Sequence, residues 1–325
     1  MTRKLFHTAS IIIVCFLMTF CYKKSIPHNT SANNQRILGY LSGSRNWQKA
    51  FSSVDLTNLT DLNLAFFNPD SNGILPPNAD LPKLIATAHQ KNIRVYMSIG
   101  GGNGPAYLKD LIAGSKRTQL INTIVSFALA NHFDGVDVDL ENDLITDQYA
   151  GFVAELSAAL KTKHLLMTAA LASWNADLIK DETLRLYDFI NIMSYDKTGP
   201  WNLNKPGPHS PLSMAQDDFA YFNTKRSIPA SRLLIGLPFY GYGFGGKAPE
   251  SLAYKEIIAR YPGAENKDEI ELADGGHLYY NGIPTIRQKC AFAKANKAAG
   301  VMIWELQQDS QDENSLLKTI AKALN

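Results

Sequence analysis

Short apolar segments of β-strand type alternate with stretches of helical periodicity along most of the chain. This alternation constrains the fold more than any other feature of the sequence. From residue 36 onward it supplies eight strand candidates, at residues 36–41, 62–67, 94–99, 135–140, 165–171, 188–195, 232–239 and 300–306. Strands that alternate with helices form parallel βαβ units. Eight such units in roughly 290 residues match the count and size of a (β/α)8 TIM barrel, so we predict that α/β fold.

A doubly wound open sheet is the structural rival to the barrel. It normally has fewer strands and often carries a glycine-rich nucleotide turn, but "GGGNG" at 100–104 lacks the third glycine of that turn, and no G-K-[ST] follows any strand. The longest gap between strands is 238–299. There we predict a short helix in "AYKEIIARY", a hairpin in "HLYYNGIPT" and a helix from "IRQKC" onward, which together are too small for a full insertion domain.

Residues 135–141 alternate between apolar and acidic side chains. The apolar face consists of Val136, Val138 and Leu140, and the acidic face consists of Asp137, Asp139 and Glu141. Same-face residues of a barrel strand line up, so these acids are expected inside the barrel, running toward the C-terminal mouth where active sites of such barrels lie. Crowded, partly desolvated carboxylates share protons. Glu141, nearest the mouth, is expected to hold its proton near neutral pH and to act as a general acid.

Other interpretations of the acidic strand fit less well. A calcium loop would need glycine and glutamate where Asn142 and Gln148 stand, counted from Asp137. No histidine joins the cluster, as a two-metal hydrolase site would favour. A purely structural role would leave three buried acids unpaired, at a cost of several kcal/mol. We therefore predict no metal site.

"DGVDVDLE" at 134–141 resembles the D-G-x-D-x-D-x-E signature of glycoside hydrolase family 18, which contains chitinases and endo-β-N-acetylglucosaminidases. Other segments resemble the family's strands in the same order: "GY" at 39–40, "AF" at 65–66, "SIGG" at 98–101, "MSYD" at 193–196, "GLPFYG" at 236–241 and "GVMIWEL" at 300–306. The resemblance covers essentially all of 36–325. It implies a TIM-barrel hydrolase that needs no metal or organic cofactor.

The resemblance also implies a mechanism, since this family retains configuration without a carboxylate nucleophile. Glu141 would protonate the glycosidic oxygen while the substrate's own N-acetyl oxygen attacks the anomeric carbon. Asp139 would stabilise the oxazolinium intermediate, and Asp137 would share a proton with Asp139. Tyr195 would position the N-acetyl group, and Glu141 would then act as a base toward water.

Several aromatic and polar residues are implied to bind the sugar. Trp304 stands in the place of the family's subsite floor, and four other positions match the lining of the same subsite, namely Tyr40, Phe66, Met193 and Asp196. Three aromatic residues follow strands five to seven at the mouth, where they either shape subsites or pack in the core: Trp174, Trp201 and Tyr240. Trp47, after strand one, is a weaker candidate. The "SIGG" residues Ser98, Gly100 and Gly101 are expected to support the barrel interior.

The motifs leave three functions open. The first is an endo-acting chitinase that hydrolyses β-1,4-linked N-acetylglucosamine polymers. The second is an endo-β-N-acetylglucosaminidase that cuts the chitobiose core of N-glycans, because Leu140 replaces the aromatic residue often found before the acid and "DKTGPW" at 196–201 is not the commonest chitinase loop. The third is a chitinase-like lectin, which the presence of Glu141 disfavours. The short segment before strand eight suggests an open groove and favours endo cleavage.

The first 35 residues are expected to lie outside the catalytic domain of 36–325. Arg3 and Lys4 precede an apolar run at 11–20 that is too short to span a bilayer, a pattern typical of an export signal, here 1–21. "LMTFC" at 17–21 resembles a bacterial lipoprotein site, although Phe20 stands where a small residue is expected. Lipid attachment at Cys21, simple cleavage nearby and an uncleaved anchor therefore remain alternatives. Residues 22–35 are polar and are expected to form a flexible tether.

The charge of the chain limits the partners it is expected to bind, and its cysteine content limits the disulfides and metal sites it is able to form. Lysine and arginine number 32 and the acids 30, and loss of the leader removes Arg3 and Lys4, so the exported chain is formally neutral with no basic stripe. Nucleic acid is therefore not expected as a partner. Beyond residue 21 only Cys290 remains, which excludes an internal disulfide and a thiolate metal site. We expect an exported monomer, secreted, periplasmic or lipid-anchored at the envelope, that binds chitin or another N-acetylglucosamine-containing glycan.

Overall fold

Eight parallel strands close into a barrel in the computed structural model of the chain, which describes residues 35–43 and 46–325. The first seven barrel strands are β1 (Arg36–Ser42), β2 (Asp61–Ala65), β3 (Arg94–Gly100), β4 (Gly135–Asp139), β5 (Leu166–Leu171), β6 (Phe189–Ile192) and β7 (Leu233–Pro238). Four strands follow in a separate antiparallel sheet: β8 (Tyr240–Phe244), β9 (Ser251–Ala253), β10 (Glu269–Glu271) and β11 (His277–Tyr279). The eighth barrel strand, β12 (Gly300–Trp304), pairs with both β1 and β7 and closes the barrel. The predicted fold is confirmed.

Helices cover the outside of the barrel. They are α1 (Trp47–Ser52), α2 (Leu81–Gln90), α3 (Leu108–Leu111), α4 (Lys116–Ala130), α5 (Tyr149–Lys161), α6 (Asp181–Leu184), α7 (Leu212–Ala220), α8 (Tyr254–Arg260), α9 (Ile283–Ala295) and α10 (Leu316–Leu324). The apolar residues of α4 recur at helical spacing and form the face that the helix buries: Leu120, Ile121, Ile124, Val125 and Ala128. Within the described ranges, no helix is both long and apolar enough to cross a bilayer.

Two separate hydrophobic cores follow from the alternation of side chains along the strands. The outer core lies between the strands and the helices and contains the apolar residues of β4 and its end, Val136, Val138 and Leu140. The inner core fills the barrel and includes Leu38, Tyr96, Phe189, Leu234 and Met302. The acidic face of β4 therefore points into the barrel, as predicted.

A buried carboxylate closes the N-terminal end of the barrel. Asp61, at the start of β2, is fully buried, and its Oδ1 lies 2.7 Å from Arg36 Nη1 and 3.0 Å from Arg94 Nε. The hydroxyl of Tyr96 donates to the same oxygen at 3.0 Å. The guanidinium of Arg36 also lies 4.6 Å from the ring centre of Phe189. Charged groups at this end are thus paired with one another, at the opposite end from the mouth.

The segment between β7 and β12 departs from the sequence prediction. A hairpin over "HLYYNGIPT" was wrong, because only His277–Tyr279 are extended and Ile283 already begins α9. The strand pairs instead with β10 and β8, which gives a sheet in the order β10–β11–β8–β9. Asn281 and Gly282 do not form the expected turn, since the Asn281 amide donates to Ser210 O and the Gly282 N–H donates to Asp268. Pro284 then suits the first turn of α9.

Candidate active site

The acidic residues of β4 form a column that runs from the inside of the barrel to its mouth. Asp137 and Asp139 are on β4 and are buried, whereas Glu141 lies two residues beyond Asp139, past the end of the strand, and is partly exposed. The exposure of the three side chains to solvent therefore increases from Asp137 inside the barrel to Glu141 at the mouth. Each experiences a different environment, and the differences set their chemistry.

Asp137, the deepest of the three, accepts hydrogen bonds from four strands of the barrel. Its Oδ2 accepts from the hydroxyls of Tyr40 and Ser98, each at 2.7 Å, and its Oδ1 accepts from Thr168 at 2.6 Å and from the Asn191 amide at 3.2 Å. Burial raises the pKa of Asp137, and these four donors oppose the rise. Four donors directed at two oxygens favour the ionised form. Asp137 is thus buried with both oxygens engaged by protein groups.

Asp139 and Glu141 form a proton-holding pair above Asp137. Burial raises the pKa of Asp139 well above its ordinary value, and the charges of Glu141 and Asp137 raise it further. Burial also raises the pKa of Glu141 to about 7; the contact with Asp139 opposes this rise, and the charge of Asp196 adds to it. Two carboxyls in such contact titrate as a unit. The pair therefore keeps at least one proton at neutral pH.

The loop after β3 fixes the backbone beside this pair. The Gly101 N–H donates to Asp139 O at 2.7 Å, while Asn68 exchanges two hydrogen bonds with the Gly100 backbone, at 2.8 and 2.9 Å. Gly100 has φ 101°, and a Cβ there would lie 2.1 Å from Asp139 O. Only glycine fits this position, since both the backbone angle and the contact exclude a side chain. The "SIGG" motif thus positions Asp139 through the main chain.

A cavity of about 400 Å³ opens at the mouth above the acids. Seven of the residues predicted for the site line it: Phe66, Asp139, Glu141, Met193, Tyr195, Asp196 and Trp304. The glycines of the loop after β3 also line it, together with Asn68 and Asn103, which the sequence analysis did not identify. The cavity therefore brings together the acid pair, a phenol and aromatic rings.

Trp304, at the end of β12, has its ring held by two other aromatic residues. The Phe66 ring stacks on it at a centroid distance of 5.7 Å, and the Tyr40 ring contacts it edge-on at 5.4 Å. Trp304 and Phe66 remain partly exposed, whereas Tyr40 is buried and its hydroxyl is bound to Asp137. Tyr40 thus lies behind the cavity wall. A fixed, half-exposed tryptophan offers an apolar surface to the C–H face of a sugar ring.

Tyr195 follows β6 and is buried beside the acid pair. Its hydroxyl lies 3.8 Å from Met302 Sδ, so its proton has only a weak acceptor within the described residues. Burial raises the pKa of Tyr195 well above its ordinary value, and the charges of Asp139, Asp196 and Glu141 add to the rise. The phenol therefore stays protonated and is able to donate to a ligand in the cavity.

Asp196 adopts a left-handed backbone conformation, with φ 63°, directly after Tyr195. Its Oδ1 accepts the hydroxyl of Tyr240 at 2.5 Å and lies 3.4 Å from Nδ1 of His209. Tyr240 and His209 are both buried. Tyr240, predicted to shape a sugar subsite, therefore lies behind Asp196 and holds it in place.

Two exposed tryptophans flank the mouth. Trp174 is 53% exposed and lines a second cavity of about 410 Å³, which shares Asp196 with the first. Trp201 is 61% exposed and contacts Tyr242 edge-on at 5.4 Å. Both positions are open to a ligand. The weaker candidate Trp47 is not, because it is buried and stacks on Phe67 at 5.0 Å; its assignment as a binding residue was wrong.

A third cavity, of about 290 Å³, continues from the first on the side of the loop after β3. It shares Gly101, Gly102 and Glu141 with the first cavity and extends to Lys109 and Asp143. The second cavity shares Asp196 with the first, and the third shares Glu141 with it. Together they extend the site in two directions. An extended ligand is able to lie across the acid pair.

Across residues 35–43 and 46–325, no group of three or more histidine, cysteine, aspartate or glutamate side chains is arranged to hold a metal ion. The oxygens of Asp137, the deepest acid, are taken up by protein donors.

The comparisons with known proteins agree with this arrangement. The model of "Glycosyl hydrolases family 18" matches residues 36–309. The crystal structure of the GH18 chitinase ChiB from the chitin utilization locus of Flavobacterium johnsoniae is 37% identical, with a TM-score of 0.82 over 90% of this chain and 94% of that one. A chitinase from Bacteroides thetaiotaomicron is 29% identical, with a TM-score of 0.77 over 89% and 96%. "Probable chitinase 10" of Drosophila melanogaster is 27% identical in an alignment of 303 residues that covers 72% of this chain but only 13% of that longer protein.

Proposed function

The chain belongs to glycosyl hydrolases family 18 and is a glycoside hydrolase, and from this premise we propose that it is a chitinase. The proposed reaction is endo hydrolysis of β-1,4-linked N-acetylglucosamine polymers with retention of configuration. One observation carries the proposal: Asp139, Glu141, Tyr195 and Trp304 line a single cavity at the mouth of the barrel. These groups together supply a proton, a hydrogen-bond donor and a ring-binding surface.

Glu141 is the proposed general acid. Its pKa of about 7 keeps a large fraction protonated at neutral pH, which suits proton transfer to a glycosidic oxygen. Neither Asp137 nor Asp139 is a good nucleophile toward the sugar. Asp137 is fully buried with both oxygens engaged by protein donors, and Asp139, which lines the cavity, has a strongly raised pKa in contact with Glu141. The substrate's own N-acetyl oxygen therefore attacks the anomeric carbon, as in substrate-assisted hydrolysis.

Asp139 and Tyr195 position the acetamido group in this mechanism. Asp139 accepts a hydrogen bond from the acetamido N–H, which stabilises positive charge as the oxazolinium ring forms. Tyr195 keeps its proton and donates to the acetamido carbonyl, so the attacking oxygen points at the anomeric carbon. Asp137 acts from below as a fixed negative charge that favours the cationic intermediate. Glu141, now ionised, then takes a proton from the attacking water.

The shape of the site supports endo cleavage. The second cavity, with Trp174, and the third, with Lys109, extend the catalytic cavity in two directions. A polymer is thereby able to bind on both sides of the bond to be cut. Trp304 would lie under the reacting ring, and Trp174 and Trp201 would stack on neighbouring units.

The test measures how the purified protein cleaves two substrates, chitin oligomers and a high-mannose glycoprotein. Glu141→Gln removes the acid with little change in size, and Glu313→Gln, on an exposed glutamate away from the barrel strands, is the matched control. We expect wild type and Glu313→Gln to cleave the oligomers internally and Glu141→Gln to lose at least about 100-fold in kcat, the scale of general acid catalysis. NMR of the first products should detect the β-anomer.

Other outcomes would replace this proposal. Cleavage of the glycoprotein alone would make the chain an endo-β-N-acetylglucosaminidase. Binding of either substrate without turnover would make it a chitinase-like lectin. Product of inverted configuration would exclude the substrate-assisted mechanism.

We also propose that the protein is exported and acts as a monomer. The export signal of 1–21, the proposed lipid site at Cys21 and all but the last residue of the tether of 22–35 lie outside the described residues, so the proposal rests on the sequence pattern alone. Fractionation of cells that express wild type or Cys21→Ala, with labelled fatty acid, separates the alternatives. Label in wild type only supports lipidation, whereas cytoplasmic, uncleaved protein would contradict export. Sedimentation of the purified chain tests the monomer.

A further inference from the structure

A buried histidine stands directly behind Asp196, outside the family motifs. His209 precedes α7 and is fully buried, with its ring 5.0 Å from that of Tyr240 and 4.9 Å from that of Tyr242. The titratable groups that face the ring are Asp196 from the preceding loop and these two tyrosines from β8. Lys289, from α9, contacts Ser210, the residue that follows His209 in the chain. A polar ring in such a position must satisfy both of its nitrogens.

The neighbours of the ring determine where its protons lie. Nε2 lies 3.2 Å from the backbone oxygen of Tyr240, and a carbonyl only accepts, so Nε2 carries a hydrogen. Nδ1 is buried, lies 3.4 Å from Asp196 Oδ1 and makes no hydrogen bond to the described residues. A bare Nδ1 would face a carboxylate with its lone pair, which is repulsive for a ring that is closed to solvent. A second proton, on Nδ1, turns the same contact into a charge-assisted attraction.

The backbone that carries His209 is firmly anchored. Nζ of the buried Lys289, whose pKa burial lowers to about 7, donates to Ser210 O at 2.7 Å, to Ser210 Oγ at 2.6 Å and to Asn281 Oδ1 at 2.7 Å. The Ser210 hydroxyl in turn donates to Ser194 O at 2.6 Å, next to Tyr195. This network joins the His209 segment to the end of β6 and to α9. The ring therefore has little freedom to turn away from Asp196.

We propose that His209 is a positioning residue of the active site, which as an imidazolium holds Asp196 against Tyr240 and offsets its negative charge. Asp196 lines the catalytic cavity, and its charge acts on Glu141. A positive charge behind Asp196 weakens that effect and keeps Glu141 a stronger acid. The link to catalysis rests on the proposed function, whereas the protonation of the ring does not.

The kinetic test compares His209→Asn, which is uncharged, and His209→Phe, which keeps a ring without a donor. Without the imidazolium, Asp196 raises the pKa of Glu141 further, so the alkaline limb of kcat/KM should move upward by about half a pH unit. We expect kcat to fall roughly tenfold and KM to change less, because the residue orients a group instead of binding sugar. His89→Asn, which removes a histidine–aspartate contact at the closed end of the barrel, is the matched control and should leave the profile unchanged.

A double-mutant cycle separates this role from simple packing. In an Asp196→Asn background, His209→Asn should no longer move the alkaline limb, because there is no charge left to offset. An equal shift in both backgrounds would overturn the proposal. So would unchanged profiles in both single variants.

A spectroscopic measurement tests the ring without any substrate. In the full chain labelled with ¹⁵N-histidine, the wild type should give two ring N–H signals for His209 at neutral pH and the Asp196→Asn variant only one. A single ring N–H in wild type would overturn the proposal whatever the activity. If wild type cleaves no polymer but gives both signals, the proposed function fails and the histidine–aspartate pair stands.

Discussion

Removing the Ser98 hydroxyl tests whether Asp137 is held as a carboxylate by its donors. Ser98 and Asp137 are both fully buried, and their oxygens are 2.7 Å apart. Ser98→Ala deletes one of four donors and changes little else, since the methyl side chain fits where the hydroxyl was. The matched control is Ser157→Ala on α5. Ser157 is also buried, but its Oγ has no hydrogen-bond partner among the described residues.

The two substitutions should differ clearly in free energy of unfolding. A hydrogen bond to a charged group contributes about 1.5–3 kcal/mol, so Ser98→Ala should cost about 2 kcal/mol and lower Tm by roughly 4 °C. Ser157→Ala loses no hydrogen bond and gains helix propensity, so its effect should stay within about 0.5 kcal/mol. The difference should shrink in acid. Once pH falls below the raised pKa of Asp137, the carboxyl is neutral and the lost bond is an ordinary one.

Urea unfolding followed by circular dichroism, at neutral and at acidic pH, measures both variants. Both proteins must fold and keep the same m-value for the comparison to hold. If Ser98→Ala costs no more than Ser157→Ala at neutral pH, Asp137 does not depend on its donors as argued. If the cost is the same at acidic pH, Asp137 is not ionised in the native protein.

Three further predictions concern other parts of the chain. With Glu141 as the acid, kcat/KM on chitin oligomers should fall above a midpoint near its pKa of about 7, and a limb well below that value would point to another group. The hydrogen bond with Asp134 raises the pKa of His89, so this pair stabilises the fold at a pH below the ordinary histidine value and loses its effect as pH rises through the raised value. His89→Asn should therefore lower Tm more at about pH 5 than at about pH 9, and equal drops would contradict the linkage. Gly100→Ala should displace the Asp139 backbone and abolish folding or activity, whereas Gly114→Ala, with φ 51° and open space around it, should cost only about 1 kcal/mol; equal thermal stability of the two variants would refute this.

The barrel was predictable because its signal is distributed over the whole chain. Eight apolar segments with helices between them leave few alternative folds, and a strand period of two fixes which face of β4 carries its acids. The region of β8 to β11 was harder to predict. Its strands are three to five residues long, and the "NG" at 281–282 suggested a turn that tertiary hydrogen bonds to Ser210 and Asp268 prevent.

The residues that line the catalytic cavity were predictable from motifs, but the residues that hold them in place were not. Thr168 and Asn191 donate to Asp137 from β5 and β6, and neither belongs to a recognisable motif. Their inward position is readable from strand alternation, but the choice of partner depends on the barrel's register. His209 had no signal at all, because it reaches Asp196 by the folding back of a loop. Trp47 was a candidate binding residue but is buried in the outer core, because a tryptophan after a strand end need not face the mouth.

The paired charges around Asp61 have a consequence for proton exchange. The Asp61 carboxylate is contacted by Arg36, Arg94 and Tyr96, and the inner core packs above it. The N-terminal end of the barrel is therefore closed. Solvent then exchanges with Asp137 and Asp139 through the opening alone. A polymer chain lying over that opening would cut the exchange off, so each cleavage would have to run on the proton that Asp139 and Glu141 already held when the polymer arrived.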